Sequence, residues 1–311
     1  MSLLSWNCRG LGNPQTVNAL KKAIRIEKPD LVFLMETKFD KEWMTSVRDR
    51  CGFKESFVVP SLGASGGLAL FWNSNNKVKV SSSSQSHIDA NVDGSSIGGA
   101  WHLTGFYGNP VTSLRLDSWR LLSSLCDGSS LPWLVIGDFN EICCASEKEG
   151  GAQRPNQQMA GFRNVINSCG LKEVEYIGPK FTWIYQMRNG SQIRERLDRA
   201  LVSVDWSMKF PSAKLFHRSS SVSDHSPILL RLTTTKKKKN VKRIFRFESM
   251  WLQDQRCEGV VLDAWQEGLV SGSDFPILSC LELCRHKLEA WNVAEFGHVG
   301  KEISRLQRQL E

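Results

Sequence analysis

Short apolar runs alternate with segments of helical periodicity from the N-terminus to residue 235. The runs "LLSWNC" and "LVFLMET" predict buried strands, and Pro14–Glu27 between them carries apolar residues at helical spacing. Similar spacing predicts helices over residues 40–51, 114–126 and 156–169. The remaining runs predict strands, namely "FVVP", "GGLALFW", "KVKVSS", "HIDANVD", "AWHLTGFYG", "WLVIGDFN", "FTWIY", "RLDRALVS", "AKLFH" and "PILLRL".

The many short strands and few helices indicate the fold class. A single sheet of the Rossmann type needs more crossover helices than this pattern provides. Two packed sheets with helices on the outside fit the pattern better. We therefore expect residues 1–235 to form one α/β domain, built as a two-sheet α/β sandwich.

The composition changes at "TTTKKKKNVKR", residues 233–243. Its four consecutive lysines are typical of a linker, and a nuclear import signal or a DNA-binding arm is the alternative interpretation. The chain after them is helical in pattern, with an apolar stripe formed by Trp251, Leu252, Val261, Trp265, Leu281, Leu288 and Trp291. Residues 236–311 are therefore predicted to be a basic linker and a helical extension.

The net charge and the absence of targeting signals in the sequence indicate the kind of partner and the cellular compartment. A formal net charge of +8 suits a polyanionic partner without naming one. No apolar run reaches the length of a membrane span, and the N-terminus lacks the features of a signal peptide. Nine cysteines without regular spacing indicate reduced thiols. We expect a protein of the nucleus, with the cytoplasm as the alternative, that is neither secreted nor bound to a membrane.

Four predicted strands have polar side chains at the point where they enter or leave the core. A single such case is trivial, because every strand must end. Four cases, all with oxygen donors and one with an imidazole, indicate a convergent site. These side chains are Asn7, Glu36, Asp138, Asn140, Asp224 and His225.

The donor types favour a hard divalent cation. Carboxylate and amide oxygens suit Mg²⁺ or Mn²⁺, and the sequence has no thiolate cluster for zinc. Glu36 is the natural ligand, although a charge near a helix N-terminus would also explain it. In "GDFN", Asp138 and Asn140 share one side of an extended chain, where they could orient or deprotonate a water. The alternative for this pair is an Asx turn.

The order and rough spacing of six motifs resemble the endonuclease/exonuclease/phosphatase family. The motifs are "WNCRG", "ET", "FYG", "GDFN", "RLDR" and "SDHSP", and the resemblance covers about residues 3–232. The beginning "WNCRGL", the motif "SDHSP" and the following "FRFESMWL" look most like the endonucleases of plant non-LTR (LINE-type) retrotransposons. The resemblance implies the two-sheet sandwich of that family, a DNA partner, and a reverse transcriptase domain beyond the helical extension in a full-length element.

The resemblance also implies a role for each matching residue. Asn7, Glu36 and Asp224 would lie at a Mg²⁺ ion, with Glu36 as the direct ligand, and Tyr107 would contact the scissile phosphate. Asp138 would orient or deprotonate the attacking water, and Asn140 would position it. Asp198 would hold His225, whose charged imidazole would stabilise the transition state. Thr182 resembles a residue that contacts DNA phosphate.

One position departs from the family pattern. Many members carry a second acid two residues after the Asn of the first motif, and here that position is Arg9. We assign Arg9 to substrate binding, and its presence favours one Mg²⁺ ion over two.

These expectations lead to one function and several alternatives. The leading hypothesis is a Mg²⁺-dependent DNA endonuclease that nicks target DNA and leaves a 3′-hydroxyl primer for retrotransposition. The alternatives are another enzyme of the same superfamily, such as an abasic-site nuclease or a lipid or inositol phosphatase, and a decayed element fragment that binds DNA without cutting it.

Overall fold

The computed structural model describes residues 1–73, 77–93, 99–128, 130–232, 247, 249–270 and 276–296. The chain divides into two compact units, Met1–Thr235 and Lys236–Glu311. The strands of the first unit in chain order are β1 (Ser2–Asn7), β2 (Leu31–Met35), β3 (Glu55–Val59), β4 (Leu68–Trp72), β5 (Val78–Ser84), β6 (His87–Val92), β7 (Trp101–Tyr107), β8 (Trp133–Asp138), β9 (Lys148–Glu149), β10 (Leu171–Glu173), β11 (Tyr176–Ile177), β12 (Trp183–Gln186), β13 (Gln192–Glu195), β14 (Asp198–Ser203), β15 (Lys214–His217) and β16 (Ile228–Arg231).

The strands form two large sheets and one small one. The first large sheet has the order β11-β15-β16-β1-β2-β4-β3, and the second has the order β10-β14-β8-β7-β6-β5. The small sheet has the order β12-β13-β9. Most neighbours are antiparallel, but β1 pairs with β2 and β7 pairs with β8 in parallel. The prediction of a two-sheet α/β sandwich is therefore confirmed.

Helices cover the outer faces of both large sheets. They are α1 (Pro14–Glu27), α2 (Lys41–Cys51), α3 (Arg115–Cys126) and α4 (Asn156–Ser168). A fifth helix, α5 (Val204–Lys209), contributes Trp206 to the core between the sheets, and short 3-10 helices lie at Thr112–Leu114 and Ala145–Glu147. Asn13 caps α1 by accepting a hydrogen bond from the backbone N–H of Gln15. Asp40 caps α2 in the same manner, and α2 ends at Gly52 in the left-handed conformation.

Alternation along the strands produces three buried layers. In β1, Leu3 faces the core between the two sheets, whereas Leu4 faces the layer under α1 and α2. A third layer lies between the second sheet and helices α3 and α4, and contains Phe139 and Phe162. Because both faces of the central strands are covered, these strands are continuous apolar runs in the sequence.

Two glycines allow a close approach inside this sandwich. A Cβ on Gly105 in β7 would lie 2.5 Å from the ring of Phe33 in the opposite sheet. A Cβ on Gly137 in β8 would lie 1.9 Å from the carbonyl oxygen of Phe106. The glycine of "GDFN" is thus required by the backbone of the neighbouring strand.

The second unit contains a 3-10 helix (Ser249–Gln253), α6 (Gln255–Val270) and α7 (Pro276–Phe296). Trp251, Cys257 and Leu288 form its buried core, and the indole of Trp251 donates a hydrogen bond to Asn292. The whole predicted linker "TTTKKKKNVKR", including the four lysines, lies outside the described residues. Within the described part of the chain, no helix is long and apolar enough to cross a membrane.

Candidate active site

Strand register brings the polar strand ends together. Asn7 ends β1, and Glu36 follows the neighbouring parallel strand β2. In the second sheet, Asp138 pairs with Tyr107 of β7 on one side and with Asp198 of β14 on the other. The side chains that the sequence separates widely therefore meet at one edge of the sandwich.

A chain of hydrogen bonds joins these side chains across the two sheets. The Asn7 amide donates to Oε1 of Glu36 at 3.1 Å and to Oδ2 of Asp138 at 3.0 Å. The Tyr107 hydroxyl donates to the same Oε1 at 2.8 Å. Burial, together with the Glu36 charge, raises the pKa of the Tyr107 phenol, so Tyr107 stays a hydrogen-bond donor.

His225 lies between two buried carboxylates. Its Nδ1 is 2.9 Å from Oδ2 of Asp198, and its Nε2 is 3.6 Å from Oδ2 of Asp138. Burial alone would lower the pKa of His225, but the charges of Asp198 and Asp138 outweigh burial and raise it to about 9. The imidazole is therefore charged at neutral pH.

Asp138 is fully buried, and this burial raises its pKa to about 7 despite the opposing effect of the His225 charge. Asn140 is oriented toward it, because the Asn140 N–H donates to Oδ1 of Asp138 at 2.8 Å. The Asn140 side-chain amide donates to the carbonyl oxygen of Gly108 at 2.8 Å. Asp138 thus titrates in the range where a carboxylate can remove a proton from water.

The loop that carries Asp224 and His225 is held from both sides. The Ser226 N–H donates to the carbonyl oxygen of Thr182, and the Ile184 N–H donates to that of Asp224. The Ser223 hydroxyl donates to the carbonyl oxygen of Asn7 at 2.9 Å. Hydrogen bonds therefore hold this loop against β1 and against the start of β12.

The Asp224 carboxylate is bound by Arg9 and Trp183. Its Oδ2 accepts hydrogen bonds from the Arg9 guanidinium and, at 2.8 Å, from the Trp183 indole. Its Oδ1 is buried and has no hydrogen-bond partner. Arg9 also approaches Glu36, with Nε 4.0 Å from Oε2.

Thr182 lies beneath the site rather than on its surface. Its side chain is fully buried, and its hydroxyl accepts hydrogen bonds from the backbone N–H groups of Leu197 and Asp198, at 3.0 and 2.9 Å. This location differs from the predicted contact with DNA phosphate, because the hydroxyl is occupied by the start of β14. Here Thr182 supports the backbone of Asp198.

The oxygen donors around Glu36 fit a hard divalent cation. The Glu36 carboxylate is partly exposed, whereas the unpartnered Oδ1 of Asp224 is buried. Asn7 was predicted to lie at the metal, but its side chain is used within the protein. Its NH₂ group faces Glu36 and Asp138, and its Oδ1 accepts the Arg9 backbone N–H at 3.3 Å. Ligand atoms of Asp138, Asp198 and His225 also lie within 4.8 Å of one another, so they form a second, buried group of potential metal ligands.

Several residues that support the site were given no role in the sequence analysis. The Lys38 ammonium is 3.6 Å from Oε2 of Glu36, and Trp183 and Ser223 hold the loop described above. Gly108 has to be glycine, since a Cβ there would lie 2.3 Å from the carbonyl oxygen of Phe139. The proximity of Lys38 to Glu36 in sequence is the one signal that could have suggested its role.

Strained backbone is concentrated at the site. Among the described residues, five non-glycine residues have positive φ, and four of them belong to the site: Arg9 (φ 48°), Glu36 (φ 51°), Lys38 (φ 61°) and Asn140 (φ 52°). Each costs on the order of 1 kcal/mol or more. Such strain is typical of residues that a functional site holds in place.

The site opens into a polar cleft of about 520 Å³. Glu36, Asn140 and His225 line it beside Arg9, Arg115 and Trp183. The sequence profile of the Endonuclease/Exonuclease/phosphatase family matches residues 4–225. The chain belongs to this family.

Solved structures of the endonuclease/exonuclease/phosphatase type resemble the chain in fold. A 3′-5′ exonuclease from Neisseria meningitidis is 17% identical, with a TM-score of 0.59 over 74% of this chain and 99% of that one. The endonuclease domain of a telomere-specific non-LTR retrotransposon is 13% identical, with a TM-score of 0.55 over 76% and 99%. An AP endonuclease from Archaeoglobus fulgidus is 13% identical, with a TM-score of 0.58 over 74% and 98%. No curated protein matches the sequence.

Membership in the endonuclease/exonuclease/phosphatase family carries general chemistry with it. Its members are hydrolases that act on phosphodiester bonds, and the family is generally dependent on divalent metals. Both properties are consistent with the carboxylates and the charged imidazole found in this cleft.

Proposed function

We propose that this chain is a Mg²⁺-dependent DNA endonuclease that hydrolyses one phosphodiester bond and leaves a 3′-hydroxyl. The observation that carries the proposal is the buried arrangement of Asp198, His225 and Asp138 next to Glu36. Hydrolysis of a phosphodiester needs an oriented water and positive charge near the non-bridging oxygens. The site offers a carboxylate for the first requirement and a charged imidazole for the second.

Each side chain has a defined task in this proposal. Asp138 accepts the proton of the attacking water, and Asn140 orients that water beside it. His225, held in its charged form by Asp198, stabilises the charge that grows on phosphate in the transition state. The Tyr107 hydroxyl, which donates to Glu36 in this structure, would turn to donate its one hydrogen bond to a phosphate oxygen when Glu36 holds the cation.

Glu36 is the group that would hold the divalent cation, because the Asp224 carboxylate is occupied by Arg9 and Trp183. When bound, Mg²⁺ supplies Lewis acidity at the phosphate and at the leaving oxygen. Mn²⁺ suits the same oxygen donors.

The biological setting follows from the motifs and from one structural relative. The motifs resemble plant non-LTR (LINE-type) retrotransposons, and a retrotransposon endonuclease domain shares the fold over 99% of its length. In this setting the 3′-hydroxyl primes reverse transcription, a reverse transcriptase domain is the partner beyond α7, and the protein works in the nucleus. The Neisseria protein was also solved as a 3′ phosphatase with a product DNA hairpin, which supports DNA as the substrate class.

The primary test is nicking of supercoiled plasmid by the full chain, with Mg²⁺ or with EDTA. His225→Ala and Asp138→Ala should each lower the nicking rate by about 10²-fold or more while DNA affinity changes less than about threefold at one salt concentration. His286→Ala, which removes an exposed imidazole on α7, is the matched control and should nick at the wild-type rate. Nicked product that a DNA polymerase extends without phosphatase treatment would establish the 3′-hydroxyl.

Two further substrates separate the alternatives. Faster cleavage of duplex with an abasic site than of intact duplex would point to an abasic-site nuclease. Release of phosphate from an inositol phosphate would point to a phosphatase. Binding of DNA with no cleavage under Mg²⁺ or Mn²⁺ would support the decayed fragment, and wild-type rates in both active-site variants would refute the assignment of the site.

A further inference from the structure

Arg9 holds a position between two carboxylates of the candidate site. One end of its guanidinium contacts Oδ2 of Asp224, and its Nε is 4.0 Å from Oε2 of Glu36. The side chain is 49% exposed and lines the cleft that also contains His225. A positive group at this place is therefore both fixed by the protein and accessible to a ligand.

The backbone directs the Arg9 side chain to this position. Arg9 has φ 48° and Gly10 has φ 109°, so the chain turns sharply directly after β1. The Arg9 N–H donates to Oδ1 of Asn7, which is itself bonded to Glu36 and Asp138. A non-glycine residue in the left-handed region is uncommon, and here it belongs to the same network as the site.

Asp224 depends on Arg9 for neutralisation. Its second protein partner, the Trp183 indole, is a neutral donor and supplies no charge. The guanidinium of Arg9 is a permanent cation.

Arg9 supplies positive charge to two carboxylates at once. Its guanidinium contacts Asp224 and approaches Glu36, and the Lys38 ammonium lies 3.6 Å from the same Glu36 oxygen. A second divalent cation between Glu36 and Asp224 would therefore meet a fixed positive group at that place.

We propose that the Arg9 guanidinium takes the place of a second divalent cation, so that the site uses one metal ion and one fixed guanidinium against the scissile phosphate. This inference rests on the proposed phosphodiesterase function. The guanidinium occupies the space between Glu36 and Asp224 and faces the cleft, where it can contact a non-bridging oxygen.

The test counts metal ions directly, independently of activity. Mn²⁺ is titrated into the full chain by calorimetry and by electron paramagnetic resonance of the free ion. The wild type and Arg9→Lys, which keeps the charge, should bind one Mn²⁺ at the site. Arg9→Asp supplies a new carboxylate and removes the guanidinium, and it should bind two.

Arg218→Asp is the matched control for reversing a charge. Arg218 is 37% exposed, and its guanidinium pairs with Glu27, so this variant also breaks an arginine–carboxylate pair. It should bind one Mn²⁺. Two Mn²⁺ ions in the wild type, or one in a folded Arg9→Asp variant, would overturn the proposal; the wild-type count decides it even if Arg9→Asp does not fold.

Nicking gives a second readout that separates this inference from the proposed function. The Mg²⁺ dependence of the rate should steepen in Arg9→Asp, with the Hill coefficient rising from about 1 to about 2. If no protein nicks DNA but the counts are one and two, the proposed function fails and the role of Arg9 as a cation substitute survives.

Discussion

Asn7 donates a hydrogen bond of 3.0 Å to Asp138, although the two residues are 131 positions apart. Because Asn7 ends a strand of the first sheet and Asp138 ends a strand of the second, this bond joins the sheets at the candidate site. The same amide reaches Glu36, so one side chain sets the spacing of two carboxylates.

Asn7→Ala should therefore damage the site more than the fold. We expect the nicking rate to fall by about 10²-fold, because Glu36 and Asp138 lose their common donor. The free energy of unfolding should fall by about 1–3 kcal/mol, because the buried Asp138 and the partly buried Glu36 lose a donor. Plasmid nicking and urea denaturation measure the two effects. Asn18→Ala on the exposed face of α1 is the control, and equal losses in both variants would contradict the role of Asn7.

The pH dependence of nicking should have two limbs. Asp138 has a pKa of about 7 and must lose its proton to act as a base, whereas His225 has a pKa of about 9 and must keep its proton. The rate should thus rise as the pH passes about 7 and fall as it passes about 9. In Asp198→Asn the falling limb should move to lower pH, because His225 loses the negative charge that raises its pKa. Single-turnover nicking across this range checks both limbs, and an unmoved falling limb would exclude Asp198 as the partner.

Stability should change in the same alkaline range. The pKa of His225 rises from its ordinary value of 6.5 to about 9 on folding, so its charged form stabilises the fold fully below pH 6.5. That contribution is lost as the pH rises through about 9 and corresponds to about 3 kcal/mol. Urea denaturation at a series of pH values should show this fall in the wild type and a much smaller one in His225→Gln. The raised pKa of Asp138 affects stability at lower pH. The free energy of unfolding should fall as the pH rises from 3.8 to about 7, where the folded protein holds a proton that the unfolded chain has lost.

Thr182 offers a choice between two roles. If its hydroxyl supports Asp198, Thr182→Val should cost about 1–3 kcal/mol of unfolding free energy and slow nicking, because two buried N–H groups lose their acceptor. Thr182→Ser keeps the hydroxyl and should restore both. A direct contact with phosphate would give a different result, namely weaker DNA binding in Thr182→Val with unchanged stability, measured by DNA titration at fixed salt.

The boundary at residue 235 can be tested by limited proteolysis. Trypsin should cut first at the lysines of residues 236–239 and release a fragment that keeps its thermal transition and its nicking activity. Loss of the transition on removal of residues 236–311 would instead mean that the first unit depends on the second.

Local signals predicted most of the fold, and non-local pairing accounts for what they missed. Helix α1 has the predicted bounds, because Asn13 and Pro14 mark its start in the sequence itself. Strands β9 and β11 have two residues each, which is too short for any periodicity, and they exist only through their pairing partners. The helix α5 is similarly short and was not predicted.

In the candidate site, too, local sequence patterns predicted some features and non-local contacts determine the others. Polar strand ends were visible in the sequence, but the placement of Tyr107 beside Asp138 depends on parallel register between β7 and β8. The buried position of Thr182 and the bond from Trp183 to Asp224 arise from packing of β12 against the loop before β16. No local pattern specifies those contacts.

The left-handed backbone at Arg9, Glu36, Lys38 and Asn140 has a consequence for evolution in the laboratory. Glycine at any of the four would relieve conformational strain and would also delete the side chain that the site uses. A selection for heat resistance alone would favour such changes, whereas a selection for cutting would reject them. At these four positions, a substitution that raises thermal stability is therefore expected to lower activity.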